Sequence, residues 1–117
     1  EQGKYEEALV YLKSSLMISE GLGNKKEIAL SLSYIGITYK EQGNYEEALL
    51  YLKDALKLSQ ELNALDLIDD NSKNLYEIYK QKGDNDKALH FHQLYIATKD
   101  TLEKQNAIEQ TNSLNQK

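Results

Sequence analysis

The strongest constraint on this chain is that it repeats itself. The opening run "EQGKYEEALVYLKSSL" returns further on as "EQGNYEEALLYLKDAL". Gly3, Gly43 and Gly83 stand 40 residues apart, and Ala8, Ala48 and Ala88 keep step with them, as do Leu9, Leu49 and Leu89. Tyr5 and Tyr45 are also in register, with Asn85 in third place, and Tyr39 and Tyr79 match upstream of the second and third glycines. A period of this size falls in the range of helical repeat arrays, roughly 34 to 47 residues. Several residue types in register over three copies mark a structural unit. Such an array buries a strip between neighbouring units rather than one central ball.

Hydrophobic spacing predicts helices almost throughout. Ile28, Leu32, Ile35 and Tyr39 recur at helical intervals, and Tyr45, Ala48, Leu49, Leu52, Ala55 and Leu56 do so after the break at Gly43. Helices are expected at about 4–20, 25–42, 45–62, 66–82 and 85–103. Asn44 is the expected cap of the third, with Glu47 completing a capping box, and Asp84 the expected cap of the fifth. Lys4 is a poor cap, so the first helix is expected to fray at its start. Gly21 and Gly23 mark one inter-repeat turn and "ELNAL" the next.

These residues carry a family resemblance. The run "LSYIGITYKEQGNYEEALLYLKDAL" resembles a tetratricopeptide repeat: Gly36 is the small residue midway along the first helix, Tyr39 follows, then Gly43, Tyr45, Ala48 and Ala55 in the turn and second helix. Leu32 replaces the usual tryptophan, and the closing proline is missing. The long period is similar to the forty-odd-residue subclass of the family. The third copy departs further, with Tyr76, Asn85 and Tyr95 where Gly36, Tyr45 and Ala55 stand in the second. The resemblance covers residues 1 to about 100. It implies an all-α fold, a right-handed α-solenoid of antiparallel helix pairs with about two and a half repeats over 1–103. The remainder, 104–117, is expected as a polar helix extension or a disordered linker, because "QTNSLNQK" is too poor in apolar residues to hold a helix alone.

The segment "LHFHQLYIATKDTLEKQNAIEQ" is similar to the last repeat of arrays in bacterial sensor histidine kinases and related regulators, where the helix runs on as a coiled linker. Here Tyr95, Leu102, Ile108 and Leu114 offer a loose apolar seam for it. That resemblance implies a protein- or peptide-binding module of a larger bacterial signalling protein, on its cytoplasmic or periplasmic side. A structural spacer or self-association element without a peptide ligand is the alternative.

Chemistry is scarce in the sequence. Cysteine is absent, which removes disulfides and thiolate chemistry. Arginine is also absent and the net charge is −5, against a nucleic-acid partner. No apolar run approaches the roughly 20 residues of a membrane span, so direct membrane insertion is not expected. His90 and His92 are two apart, and on a helix their imidazoles point to nearly opposite sides. "DLIDDN" and "GDNDK" lack calcium-loop spacing, and Glu6–Glu7 and Glu46–Glu47 read as first-turn charges. No metal, cofactor or catalytic group is expected, and the segment is not expected to be an enzyme.

The candidate binding surface is a second stripe on the helix at 25–42, made of Leu30, Ser33, Tyr34 and Ile37. In the tetratricopeptide arrangement it faces the concave groove. The corresponding third-repeat stripe is Asp70, Lys73, Asn74, Glu77 and Lys80. A groove running from apolar to charged suits a peptide, with the apolar end as anchor. Packing of Leu30, Tyr34 and Ile37 on a neighbouring first helix is the competing reading. A lysine–asparagine clamp on a C-terminal carboxylate would need Lys73 and Asn74, and the second repeat does not supply the rest. Finally, the chain opens at the turn before a second helix, which suggests a fragment. Tyr5, Ala8, Leu9, Leu12 and Leu16 would then be only partly covered, and residues 4–20 are expected to pair with another copy in a homodimer.

Overall fold

The computed structural model describes residues 2–115 as five helices in series: α1 (Gln2–Leu22), α2 (Lys25–Glu41), α3 (Tyr45–Glu61), α4 (Leu65–Lys82) and α5 (Asn85–Asn115). Each helix packs on the next, and α2 also touches α4. This is a helical solenoid, in which each added helix pair stacks on the one before. Its radius of gyration is 16.2 Å, against about 13 Å for a compact globule of this length. Stacking in series and the 31-residue α5, exposed throughout its last turns, make the molecule elongated.

The turns repeat at half the sequence period. Gly23, Gly43, Asn63 and Gly83 all have positive φ, at 69°, 82°, 53° and 80°. In each turn the following amide donates back across the helix end: Asn24 to Ser19 O, Asn44 to Tyr39 O, Ala64 to Ser59 O and Asp84 to Tyr79 O, at 2.9–3.1 Å. This left-handed ending satisfies carbonyls that a helix terminus would otherwise leave unpaired. Glycine adopts it without a Cβ clash, and asparagine is among the few residues that substitute for it.

Several local expectations need correcting. Gly21 lies inside α1, and Gly23 alone makes the turn. Gly3, in register with two turn glycines, is helical and has open space around it. Lys4 is accordingly within α1 and is not its cap; Glu1 lies outside the described residues. Asn44 makes no side-chain capping bond, so there is no capping box there. Asn24 and Asp84 do cap, accepting from the amides of Glu27 at 3.2 Å and Lys87 at 3.3 Å. The polar run after Leu102 continues α5 as helix to Asn115, with the final two residues outside the described region. The run does not stand alone. It extends an already nucleated helix, so it avoids the nucleation cost that defeats short isolated helices.

The core follows the seam between helix pairs. Ile35, Ala48, Leu52, Ala55, Leu75 and Ile78 are fully buried. Gly36 is buried against α3, and a Cβ built there would lie 2.6 Å from Leu52 Cγ. Two aromatic sandwiches bind successive repeats at the 40-residue spacing. Tyr39 stacks on Tyr51 with Lys13 Nζ 5.3 Å from its ring centre, and Tyr79 stacks on Phe91 with Lys53 Nζ at 5.4 Å. The hydrogen bond from Lys13 Nζ to Tyr39 Oη, 2.8 Å, raises the lysine pKa. Ala48 shares the closed seam, so Ala48→Leu is expected to overpack it and cost about 1–3 kcal/mol. Chemical denaturation measures this, and an unchanged midpoint would show that the seam has room.

Candidate interaction groove

The first helices of the two complete pairs, α2 and α4, lie side by side and present one edge each to a shared face. Sidedness along each helix decides which residues reach that face, because positions three and four apart share it. Tyr34 is the prominent group: 53% of its surface is exposed, although its neighbour Ile35 is fully buried. Leu30 and Ile37 flank it and are half-buried. Ile37 also packs on the core cluster.

Ser33 is not part of the surface. It is only 4% exposed, and its hydroxyl is shared between Ala29 O at 3.0 Å and Asn71 Oδ1 at 2.9 Å. Asn71 is itself fully buried and donates through Nδ2 to Ser59 Oγ at 3.4 Å, while Ser59 donates to Ala55 O at 2.6 Å. One asparagine thus ties α4 to α2 and to α3. Sequence spacing gives Ser33 to the groove stripe. Burial beneath α4 moves it to the interior, because α2 and α4 touch directly at this level.

The charged end is partly occupied by its own contacts. Lys40 donates to Asn74 Oδ1 at 2.8 Å and forms an ion pair with Glu77. Asn74 Nδ2 donates to Asp70 O at 2.8 Å. Lys73 and Lys80 stay exposed, the latter with Nζ 5.7 Å from the centre of the Tyr76 ring. Burial, with Asp69 and Asp66 nearby, raises the pKa of Asp70, and burial also raises that of Asp69. One Asp69 oxygen is buried without a hydrogen-bond partner. An open hollow of about 520 Å³, lined by Lys40, Tyr45, Tyr76, Glu77, Lys80 and Gln81, continues the face beyond Ile37. The sequence reading missed Lys40, Tyr45 and Tyr76 as lining residues. The register of Lys40 with Lys80 was the available signal.

The remaining repeat residues serve the stacking. Tyr79, Ala88 and Ala55 are buried, Tyr39, Tyr45 and Ala8 are half-buried, and Gly43 and Gly83 make turns. His90 is exposed, and His92 packs on Tyr76 with ring centres 4.7 Å apart. Among the described residues no three histidine or acidic side chains gather as a metal site, and no helix is long and apolar enough to cross a membrane.

A model of the tetratricopeptide repeat matches residues 1–61, just over half of the chain. The chain belongs to the tetratricopeptide repeat family. Tetratricopeptide repeats generally mediate protein–protein interaction and are typically non-catalytic. No curated protein matches the chain. The repeat model ends at the α3–α4 turn. The aromatic sandwich of Tyr79 and Phe91 nevertheless continues the same stacking device into α4 and α5.

Proposed function

We propose that this tetratricopeptide array is a peptide-binding module, with the face shared by α2 and α4 as its groove. The observation that carries the reading is Tyr34, a large aromatic left half in solvent on a helix whose neighbouring positions are buried. Tyrosine is a frequent anchor of binding energy because it offers large contact area and a polar tip at small entropic cost. Leu30 and Ile37 widen the apolar end. Lys73 and Lys80 supply charge at the other, while Asn74 and Glu77 hold Lys40 beside them and Asp70 O accepts from Asn74. The ligand is then a protein segment with an apolar residue to set against Tyr34 and acidic groups toward Lys80.

The module belongs, on this reading, to a larger bacterial signalling protein, on its cytoplasmic or periplasmic side. The resemblance of the last repeat to histidine-kinase arrays supports it, as does the length of α5, whose 31 residues extend about 47 Å. Selection of peptides from a displayed random library on the immobilised protein tests the groove. Tyr34→Ala should weaken a selected peptide by about 1–2 kcal/mol, or roughly 5–30-fold. Wild-type affinity in that variant sinks the groove assignment, and failure to select any peptide favours the spacer reading.

A further inference from the structure

On α1 the side chains of Val10, Tyr11, Met17, Ile18 and Leu22 are between 64% and 77% exposed. They fall on one helical stripe with Ser14 in the middle. Among the described residues α1 packs on α2 alone, and that contact buries Leu9 on the opposite side. A contiguous apolar patch of this kind marks an interaction surface.

The second copy of the repeat shows that this stripe is not a normal outer face. At the positions of Ser14 and Met17, α3 carries Asp54 and Lys57, both exposed to water. In α1 both charges are replaced by neutral side chains. Nor does a neighbour of the α2 kind account for the whole stripe. On α3 such a neighbour leaves Leu50, the counterpart of Val10, 62% exposed. It would therefore cover Tyr11 and Ile18 and leave Val10 and Met17 in water.

Four residues of the stripe are symmetric about Ser14, and only Leu22, opposite Glu6, is not. Val10 and Ile18 lie four residues to either side of it, and Tyr11 and Met17 three. An antiparallel copy crossing at Ser14 would set Val10 against the second copy's Ile18 and Tyr11 against its Met17. The small serine lets the helix axes approach closely. An open hollow of about 470 Å³ lies among Glu6, Glu7, Val10 and Tyr11, and the same two-fold brings Ile18 and Leu22 of the second copy over it. We propose that α1 is the interface of a symmetric homodimer, each copy filling the other's hollow. Such an interface uses the same patch twice and closes on itself.

Two experiments on the full chain test the dimer. Sedimentation across a dilution series should show the mass rising from that of the 13.4 kDa chain to its double. The variant S14D/M17K gives α1 the residues that α3 carries at those positions, so the helix tolerates them. It should weaken association by roughly 100-fold or more, since two carboxylates then meet at the crossing. A monomer at every concentration overturns the proposal, and so does a variant that associates as strongly as the parent. Because the chain has no cysteine, single substitutions give a second reading that does not depend on that variant folding. Oxidised Ser14→Cys should form a disulfide-linked dimer much faster than Asp54→Cys, and equal rates would overturn the two-fold at Ser14.

Discussion

Leu52→Ala will destabilise the array by about 2–5 kcal/mol, and the same change will make Gly36 replaceable. Leu52 is fully buried, so its truncation loses transfer free energy and leaves a cavity. Gly36 faces it directly: an added Cβ would lie 2.6 Å from Leu52 Cγ, 2.8 Å from Cδ2 and 3.2 Å from the Leu52 backbone nitrogen. Alanine at 36 gains about 1 kcal/mol of helix propensity over glycine, but the leucine has no open side to retreat into. Overpacking wins, and Gly36→Ala alone should cost about 1–3 kcal/mol. With alanine at 52 the clash with the leucine methyl and methine groups disappears, the 3.2 Å approach to the backbone nitrogen needs a shift of only a few tenths of an ångström into the emptied space, and the propensity gain remains. The double variant should then be no less stable than Leu52→Ala alone. Urea denaturation of the four proteins in this cycle measures the coupling. Simple additivity would mean that the two helices separate to admit a methyl group, and that the close approach at Gly36 does not fix their packing.

That contact also shows why the fold was legible in the sequence. Much of what recurs at 40 residues serves the contact between units: Ala48 and Ala88 are buried, and Tyr39 and Tyr79 each stack on the following helix. Glycine at 36 and tyrosine at 39 mark a close helix approach and the aromatic beside it. The seam was therefore readable from the sequence. The pattern of turns was readable only in part, since Asn63 makes with an asparagine what Gly23, Gly43 and Gly83 make with glycine.

The groove was less legible because facing direction on a helix is graded. Ser33 and Tyr34 are adjacent in sequence, and both belong to the stripe rotated from the core. One is 4% exposed and the other 53%. The difference arises from α4, whose Asn71 reaches across to Ser33 over 38 residues of sequence. Nothing in the α2 sequence encodes that partner. Lys40 is a similar case, since its contacts with Asn74 and Glu77 depend on how α2 and α4 lie side by side. Capping also divides among equivalent turns: Asn24 and Asp84 accept from the amides three residues on, and Asn44, with the same backbone turn bond, does not. The outer face of α1 was not legible: the sequence pointed to Tyr5, Ala8, Leu9, Leu12 and Leu16, which are buried or half-buried, and the exposed stripe is Val10, Tyr11, Met17, Ile18 and Leu22. Its symmetry about Ser14 emerged once exposure separated that stripe from the side covered by α2.

Asn71→Asp will turn the array into a pH-sensitive fold, with a loss of up to about 4 kcal/mol at pH 7. The substitution keeps the shape of the side chain and changes its charge. Asn71 is fully buried between Ser33 and Ser59. A neutral aspartic acid can reproduce the bonding, accepting from the Ser33 hydroxyl and donating toward Ser59 Oγ. A carboxylate cannot donate, and the Ser59 hydrogen is committed to Ala55 O at 2.6 Å. Burial without a cationic partner therefore raises the folded-state pKa above the unfolded value of about 3.9. Between those two values the native state holds a proton that the unfolded state has released. Stability then falls as pH rises, by about 1.4 kcal/mol per pH unit until the folded-state pKa is reached. Below pH 4 both states are protonated and the loss should nearly vanish. Burial raises Asp69 and Asp70 in the parent as well, which adds a background of the same sign. The quantity to measure is accordingly the difference between variant and parent in denaturant midpoints from pH 4 to pH 8. A difference independent of pH would show that water reaches position 71, and that Asn71 does not join the three helices through a dry contact.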